Sequence, residues 1–141
     1  MKVSQTIAVS VSSVLFLGMM TLSTGLALAK GGGGGEVRLI AKMMTGSASG
    51  KADYRERGNN RRRLNVEAED LPSGTPLSQT VFVNSSPVGT MALEACPAPA
   101  LQLLCGELEL NTQDGEIVPQ NVMVGHQVQI GTVLSGTFSP R

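Results

Sequence analysis

The chain has 141 residues, and its 11 Lys or Arg side chains are balanced by 11 Asp or Glu, while only 3% of the residues are aromatic. A net charge of zero does not by itself indicate an anionic or cationic partner. So few aromatic side chains exclude an extended base-stacking platform for nucleic acid.

Residues 1–29 have the pattern of a secretory signal peptide. Lys2 is followed by an apolar run over residues 7–20, and the small residues Ala27 and Ala29 precede the predicted cleavage site. The alternative is an uncleaved membrane anchor, because the apolar run is almost long enough to span a bilayer. No cysteine lies near this site, which argues against a lipid anchor. Removing 29 of the 141 residues leaves 112, enough for one domain and too few for two.

The predicted mature chain begins with "KGGGGG", residues 30–35, which has the composition of a flexible linker. A phosphate-binding loop would instead require a preceding strand and a following Lys-Ser or Lys-Thr at the start of a helix. Neither is found here, so residues 36–141 are predicted to form a single β domain behind the linker.

Apolar and polar side chains alternate through most of residues 36–141, as in half-buried β-strands. The predicted inner faces carry Val37, Leu39, Ala41 and Met43; Leu64, Val66 and Ala68; and Leu108 and Leu110. Further strands are predicted over residues 50–57, 77–83, 88–93, 126–131 and 132–138, separated by turn-forming "LPSGTP", "NSSP" and "TQDG". The sequence therefore predicts an all-β fold, an antiparallel β-sandwich or Greek-key barrel of about seven to eight strands.

Basic and acidic side chains are separated along the chain. Residues 30–63 contain nine Lys or Arg and three acids, whereas residues 64–141 contain Arg141 and eight acids. The basic part includes "YRERGNNRRRLNVEAED", in which five arginines surround Gly-Asn-Asn. This stretch is the main candidate for a functional surface.

The same stretch predicts a β-hairpin with a three-residue loop at Gly58, Asn59 and Asn60, in which Asn60 is left-handed. In that register Tyr54 pairs with Leu64 and Ala52 with Val66 on the inner face. On the outer face Lys51 pairs with Glu67, Asp53 with Asn65, and Arg55 with Arg63. The apolar pairs and the charged pairs thus support the same register. The exception is Arg55, which lies opposite a residue of like charge.

Two interpretations of these arginines remain open. They can be a solvated hairpin tip that prevents edge-to-edge aggregation. They can bind a phosphate, sulfate or carboxylate group, since guanidinium groups make bidentate contacts with such anions; the candidate residues are Arg55, Arg57, Arg61, Arg62 and Arg63. Nucleic acid is not expected as a partner, because Tyr54, Phe82 and Phe138 are the only aromatics after residue 29.

The only two cysteines, Cys96 and Cys105, enclose "CPAPALQLLC". An even number of cysteines in an exported protein predicts a disulfide, because the compartment is oxidising.

His126 is the only histidine, in phase with Val128 and Ile130 of a predicted strand. A blue-copper site needs two histidines and a thiolate, and hydrolysis needs a carboxylate partner that the sequence does not identify. We therefore expect no catalytic residues, metal site or cofactor. The alternative is a small periplasmic enzyme or metal carrier that uses His126.

Several stretches resemble a group of small exported bacterial all-β domains. They are "SGKADYRERG", "RRLNVEAEDL", "VFVNSSPVGT", "GELELNTQDGEIVP" and "VLSGTF". The chain departs from that pattern in its glycine-rich linker and its cysteine-bracketed insertion. The resemblance implies the domain type and no particular activity.

Together these observations predict an exported, non-enzymatic binding or structural module in the periplasm or outside the cell, with no membrane span after cleavage. Its expected partner is an envelope polyanion or another copy of the chain.

Overall fold

The computed structural model describes residues 35–141, so the predicted signal peptide, 1–29, lies outside the described residues, as does the linker up to residue 34. The strands are β1 (Val37–Thr45), β2 (Ala48–Arg57), β3 (Arg61–Leu71), β4 (Ser78–Val83), β5 (Ser86–Ala95), β6 (Leu104–Asn111), β7 (Gln127–Ile130), β8 (Leu134–Thr137) and β9 (Ser139–Pro140). A 3₁₀ turn, Thr112–Asp114, is the one helical element in residues 35–141, and no helix there is long and apolar enough to cross a membrane.

The strands form one antiparallel sheet in the order β8-β7-β4-β5-β6-β3-β2-β1-β9. The two ends of this order, β8 and β9, are consecutive in sequence, and β8 packs beside β1. The sheet therefore curls into a nearly closed barrel. Strands β3 to β6 are arranged as a Greek key, since β4, β5 and β6 are neighbours in turn and β3 lies beside β6.

The predicted all-β antiparallel class is confirmed, but the predicted count of seven to eight strands is wrong, because residues 35–141 form nine. The segment predicted as one strand over residues 132–138 ends at Thr137 as β8. The chain then moves to the other edge of the sheet, where Ser139 and Pro140 pair with Ile40 and Leu39 as β9. The extra strand thus results from closure of the barrel. The alternation of apolar and polar residues does not indicate which strands become neighbours, so it could not predict this strand.

The barrel interior is filled by the side chains that alternate inward. Leu39, Ala41 and Met43 of β1 are buried, as are Leu64, Val66 and Ala68 of β3. The prediction fails for Val37, which is 42% exposed at the end of β1. Leu110 is buried and Leu108 is half-buried against the core. Most of the predicted inner face is therefore correct, and the exception lies at a strand end.

The predicted disulfide between Cys96 and Cys105 is present, with the two Cα atoms 4.9 Å apart. It closes the connection between β5 and β6. The β2–β3 loop, the β4–β5 turn and residues 112–126 lie at the other end of the barrel, which we call the hairpin end.

Candidate functional site: an arginine face

The β2–β3 hairpin has the predicted register. Tyr54 pairs with Leu64, Asp53 with Asn65, and Arg55 with Arg63. The loop comprises residues 58–60, and Asn60 is left-handed with a φ of 59°, as predicted. Asn59 is also left-handed, with a φ of 68°, a conformation that asparagine adopts more readily than most residues.

A side chain from outside the hairpin braces its loop. The backbone N–H of Arg62 donates to the Thr112 hydroxyl over 3.0 Å, and that hydroxyl donates to the carbonyl of Asn60 over 3.2 Å. Thr112 begins the 3₁₀ turn that follows β6. The position of the arginine-rich loop is therefore tied to the neighbouring strand.

Strand alternation divides the five candidate arginines between two sides. Arg55, Arg57, Arg61 and Arg63 share the outer face, where Arg57 opposes Arg61 and Arg55 opposes Arg63. Arg62 is in phase with the buried Leu64 and lies opposite Glu56. All five nevertheless line one shallow depression of about 180 Å³.

The fold adds two arginines that the sequence analysis did not include. Arg38 of β1 pairs with Arg55, and the backbone N–H of Arg141 donates to the carbonyl of Arg38 over 3.2 Å. Arg38, Arg55 and Arg63 thus form a row across β1, β2 and β3, with strand spacing of about 4.8 Å. Arg141, the residue after β9, continues this row beside Arg38. Arg57 and Arg61 form a second row beside the loop.

We call these six residues the arginine face: Arg38, Arg55, Arg57, Arg61, Arg63 and Arg141. Arg62 is the only other arginine in the chain. Arg38 could have been placed from the sequence by extending the hairpin register to β1. Arg141 could not, because its position depends on closure of the barrel.

Three carboxylates lie among the six guanidinium groups. Glu36 accepts from Arg38 over 2.9 Å and from Arg57 over 3.0 Å. The hydrogen bond from Arg38 holds the pKa of Glu36 below its ordinary value. Asp53 accepts from Arg55 over 3.2 Å and from Arg141 over 2.6 Å.

The third carboxylate, Glu109, accepts from Arg63 over 2.9 Å. Within residues 35–141, Arg61 makes no ion pair. Such exposed ion pairs stabilise a fold only slightly. Their consequence here is orientation: the carboxylates hold the arginines side by side while most guanidinium N–H groups remain available to another acceptor.

A buried tyrosine supports the hairpin from inside. The Tyr54 hydroxyl is 2.9 Å from a carboxylate oxygen of Glu56 and 3.1 Å from the carbonyl of Pro119, and it can donate to either. Its ring packs edge-to-face on Phe138, with centroids 6.5 Å apart. Burial, then the hydrogen bond to Glu56, raises the pKa of Tyr54.

Because Tyr54 is the only tyrosine, its ionisation can be followed directly. Its pKa is raised in the folded state, so its contribution to stability is complete below the ordinary tyrosine pKa of about 10 and is lost as the pH rises above it. We expect the tyrosinate absorbance band to develop only as the protein unfolds in an alkaline titration. Tyrosinate absorbance near the ordinary pKa, with circular dichroism still native, would contradict this expectation.

His126 lies at the hairpin end, outside the arginine face. It immediately precedes β7 and lines a cavity together with Asn84, Ser86 and Gln120. The backbone N–H of Met123 donates to His126 Nδ1 over 3.4 Å. No group of three or more His, Cys, Asp or Glu side chains in residues 35–141 is arranged to hold a metal ion.

No protein-family model matches the chain, and comparison with curated proteins and with solved structures finds no match either.

Proposed function

We propose that this chain is an exported, non-enzymatic β module that binds an anionic polymer of the cell envelope or its surroundings through the arginine face. The observation that carries the proposal is the collection of six of the seven arginines on one exposed surface. The resemblance to exported bacterial domains supports the module type. The signal-like N-terminus and the disulfide support export to the periplasm or beyond.

The register supports a particular orientation of the polymer. Arg55 faces Arg63, and Arg57 faces Arg61, so like charges are directly opposed across the hairpin. Such pairs are destabilising unless acids, solvent or a bound anion compensate them. Five of the six arginines share three carboxylates, and Arg61 has no carboxylate partner within residues 35–141. A polymer lying across the strands would meet successive guanidinium groups along the row from Arg141 to Arg63.

The shape of the surface favours an extended ligand. Two shallow depressions, of about 190 and 180 Å³, adjoin each other and share Arg55 and Arg63. Both are smaller than the pockets that usually enclose a small molecule, which have volumes of about 300–1,000 Å³. Open contact with repeated sulfate, phosphate or carboxylate groups is the mode that this surface fits.

The test is retention on immobilised dextran sulfate and polygalacturonate across a salt series. For Arg55, Arg57, Arg61 and Arg63 all changed to Gln, we expect about a 100-fold loss of affinity, since four exposed charged contacts are removed. Wild-type retention should fall with added salt, because exposed charges are screened over about 8 Å at physiological ionic strength.

Three double variants that each remove two positive charges separate position from net charge. R38Q/R63Q removes two of the four arginines in the row from Arg141 to Arg63, and R57Q/R61Q removes both arginines of the second row beside the loop. K42Q/K51Q is the control on the same sheet face. Retention should fall strongly for both arginine variants and only slightly for the lysine control, since Lys51 lines one of the two depressions and Lys42 lines neither. Equal losses in all three would attribute binding to net charge and contradict a specific arginine face.

A second copy of the chain is the other partner that this surface could bind. Four glutamates, Glu67, Glu69, Glu94 and Glu107, line a depression toward the disulfide end of the barrel. Sedimentation of wild type and the four-Gln variant distinguishes the two partners. Loss of retention alone indicates an external polymer, whereas loss of a salt-sensitive oligomer indicates contact between basic and acidic surfaces of two copies.

A second candidate function uses His126 in an enzyme or metal carrier. In its favour, His126 lines a cavity with three polar side chains, those of Asn84, Ser86 and Gln120. The lining contains no carboxylate and no thiol, so it lacks both the usual partner of a catalytic histidine and further strong metal ligands. The arginine face is therefore the better-supported proposal.

A further inference from the structure

The connection between β6 and β7 crosses the hairpin end of the barrel and leaves apolar side chains on both of its sides. Val118 and Val122 are buried in the core, 2% and 5% exposed. Ile117 is 90% exposed, although it directly precedes Val118. Two inward anchors therefore hold a segment that presents an isoleucine outward.

Beside this connection, the first part of β5 is not hydrogen-bonded to β6. The two strands pair only between Leu93–Ala95 and Leu104–Gly106, and the earlier part of β5 pairs with β4 alone. The β4–β5 turn is built on Asn84 and Ser85, both left-handed, with φ values of 49° and 66°. This tight turn forms one wall and the connection forms the other.

The space between these walls is a cavity of about 480 Å³. Its apolar lining is Val83, Pro87, Val88, Ile117, Pro119 and Val122. Its polar lining is Asn84, Ser86, Gln120 and His126. No Asp, Glu, Lys or Arg takes part, in contrast to the depressions on the arginine face and beside the glutamates.

The histidine at this cavity has a defined hydrogen-bonding role. Since its Nδ1 accepts from the Met123 N–H, the neutral ring carries its proton on Nε2 and can donate from that atom. The amide side chains of Asn84 and Gln120 supply further donors and acceptors. The cavity thus combines apolar surface with a few uncharged polar groups, which is the usual composition of a small-molecule site.

We propose that this cavity binds an uncharged small molecule with an apolar body and a hydrogen-bond acceptor. The apolar body contacts Val88, Ile117 and Val122, and the acceptor receives a hydrogen bond from His126 or a neighbouring amide. Burying a charged group here would be costly, because the lining offers no opposite charge. The site is separate from the arginine face and does not depend on the polymer-binding proposal.

The test uses prodan, an uncharged naphthalene ketone whose fluorescence reports on an apolar environment. We expect saturable binding to the purified chain, and at least a tenfold weaker affinity for Ile117→Asp. Ile117 is 90% exposed, so this change should not impair folding. The matched control is Leu101→Asp, at another exposed apolar residue, 62% exposed and within the disulfide loop. That control should bind prodan as wild type does.

Two further measurements locate the ligand and separate this proposal from the polymer-binding proposal. Amide chemical shifts should change on prodan addition within residues 83–88 and 117–126. The four-Gln arginine variant should bind prodan normally while losing the polymer, so failure of one proposal is distinguishable from failure of the other. Absence of saturable binding, an unchanged affinity in Ile117→Asp, or shift changes centred elsewhere would overturn the proposal.

Discussion

Replacing Tyr54 with alanine should lower the free energy of unfolding by about 3–5 kcal/mol, the usual cost of removing a large buried ring. Tyr54 is fully buried and packs edge-to-face on Phe138. Its hydroxyl also lies within hydrogen-bonding distance of the Pro119 carbonyl, which belongs to the connection across the barrel end. The change therefore removes core volume and a link between the hairpin and that connection. Urea denaturation followed by circular dichroism measures the effect.

Tyr54→Phe is the matched control, because it keeps the ring and removes only the hydroxyl. It should lower the free energy of unfolding by about 0.5–1.5 kcal/mol, the usual net value of one hydrogen bond. A Tyr54→Ala protein about as stable as Tyr54→Phe would mean that the ring contributes little to the core, contrary to its burial.

Replacing Gly136 with alanine should destabilise the fold by about 2–3 kcal/mol, in the upper part of the range for overpacking. Gly136 lies in β8, where the barrel closes against β1. A Cβ at this position would collide with the backbone carbonyl oxygen of Lys42 and come within 2.8 Å of Met43 Cγ. The carbonyl cannot rotate away as a flexible side chain could, so β1 and β8 must separate.

Gly74→Ala is the control for the Gly136 variant, because a Cβ on Gly74 meets no atom within 4 Å. Its free energy of unfolding should stay within about 0.5 kcal/mol of wild type. Hydrogen exchange should also become faster in β1 of the Gly136 variant, next to the opened closure. Equal stability of the two variants would contradict the tight approach of β8 to β1.

The hairpin register was predictable because its determinants are close in sequence. A three-residue loop and period-two alternation leave one register in which Tyr54 meets Leu64 while Lys51 meets Glu67. Apolar matching and charge matching select it independently. The disulfide was predictable for a similar reason, since two cysteines allow one intramolecular pairing.

Two of the six residues of the arginine face were harder to predict from the sequence. Arg38 and Arg141 are more than 100 positions apart, and no local pattern indicates that their backbones are hydrogen-bonded. The cavity beside His126 likewise combines the β4–β5 turn with residues 117–126. Such contacts depend on which strands become neighbours, and many arrangements of the same strands satisfy the same alternation.

The sequence by itself determined the all-β class, most strand positions, the hairpin register and the outward placement of Arg55 and Arg63. Side-chain periodicity and turn preferences are local properties of the backbone, so they can be read from neighbouring residues. Only the tertiary structure decided the ninth strand, the six-arginine surface and the uncharged cavity. Each of these arises where the curled sheet brings distant segments together, and that arrangement is selected by packing of the whole core.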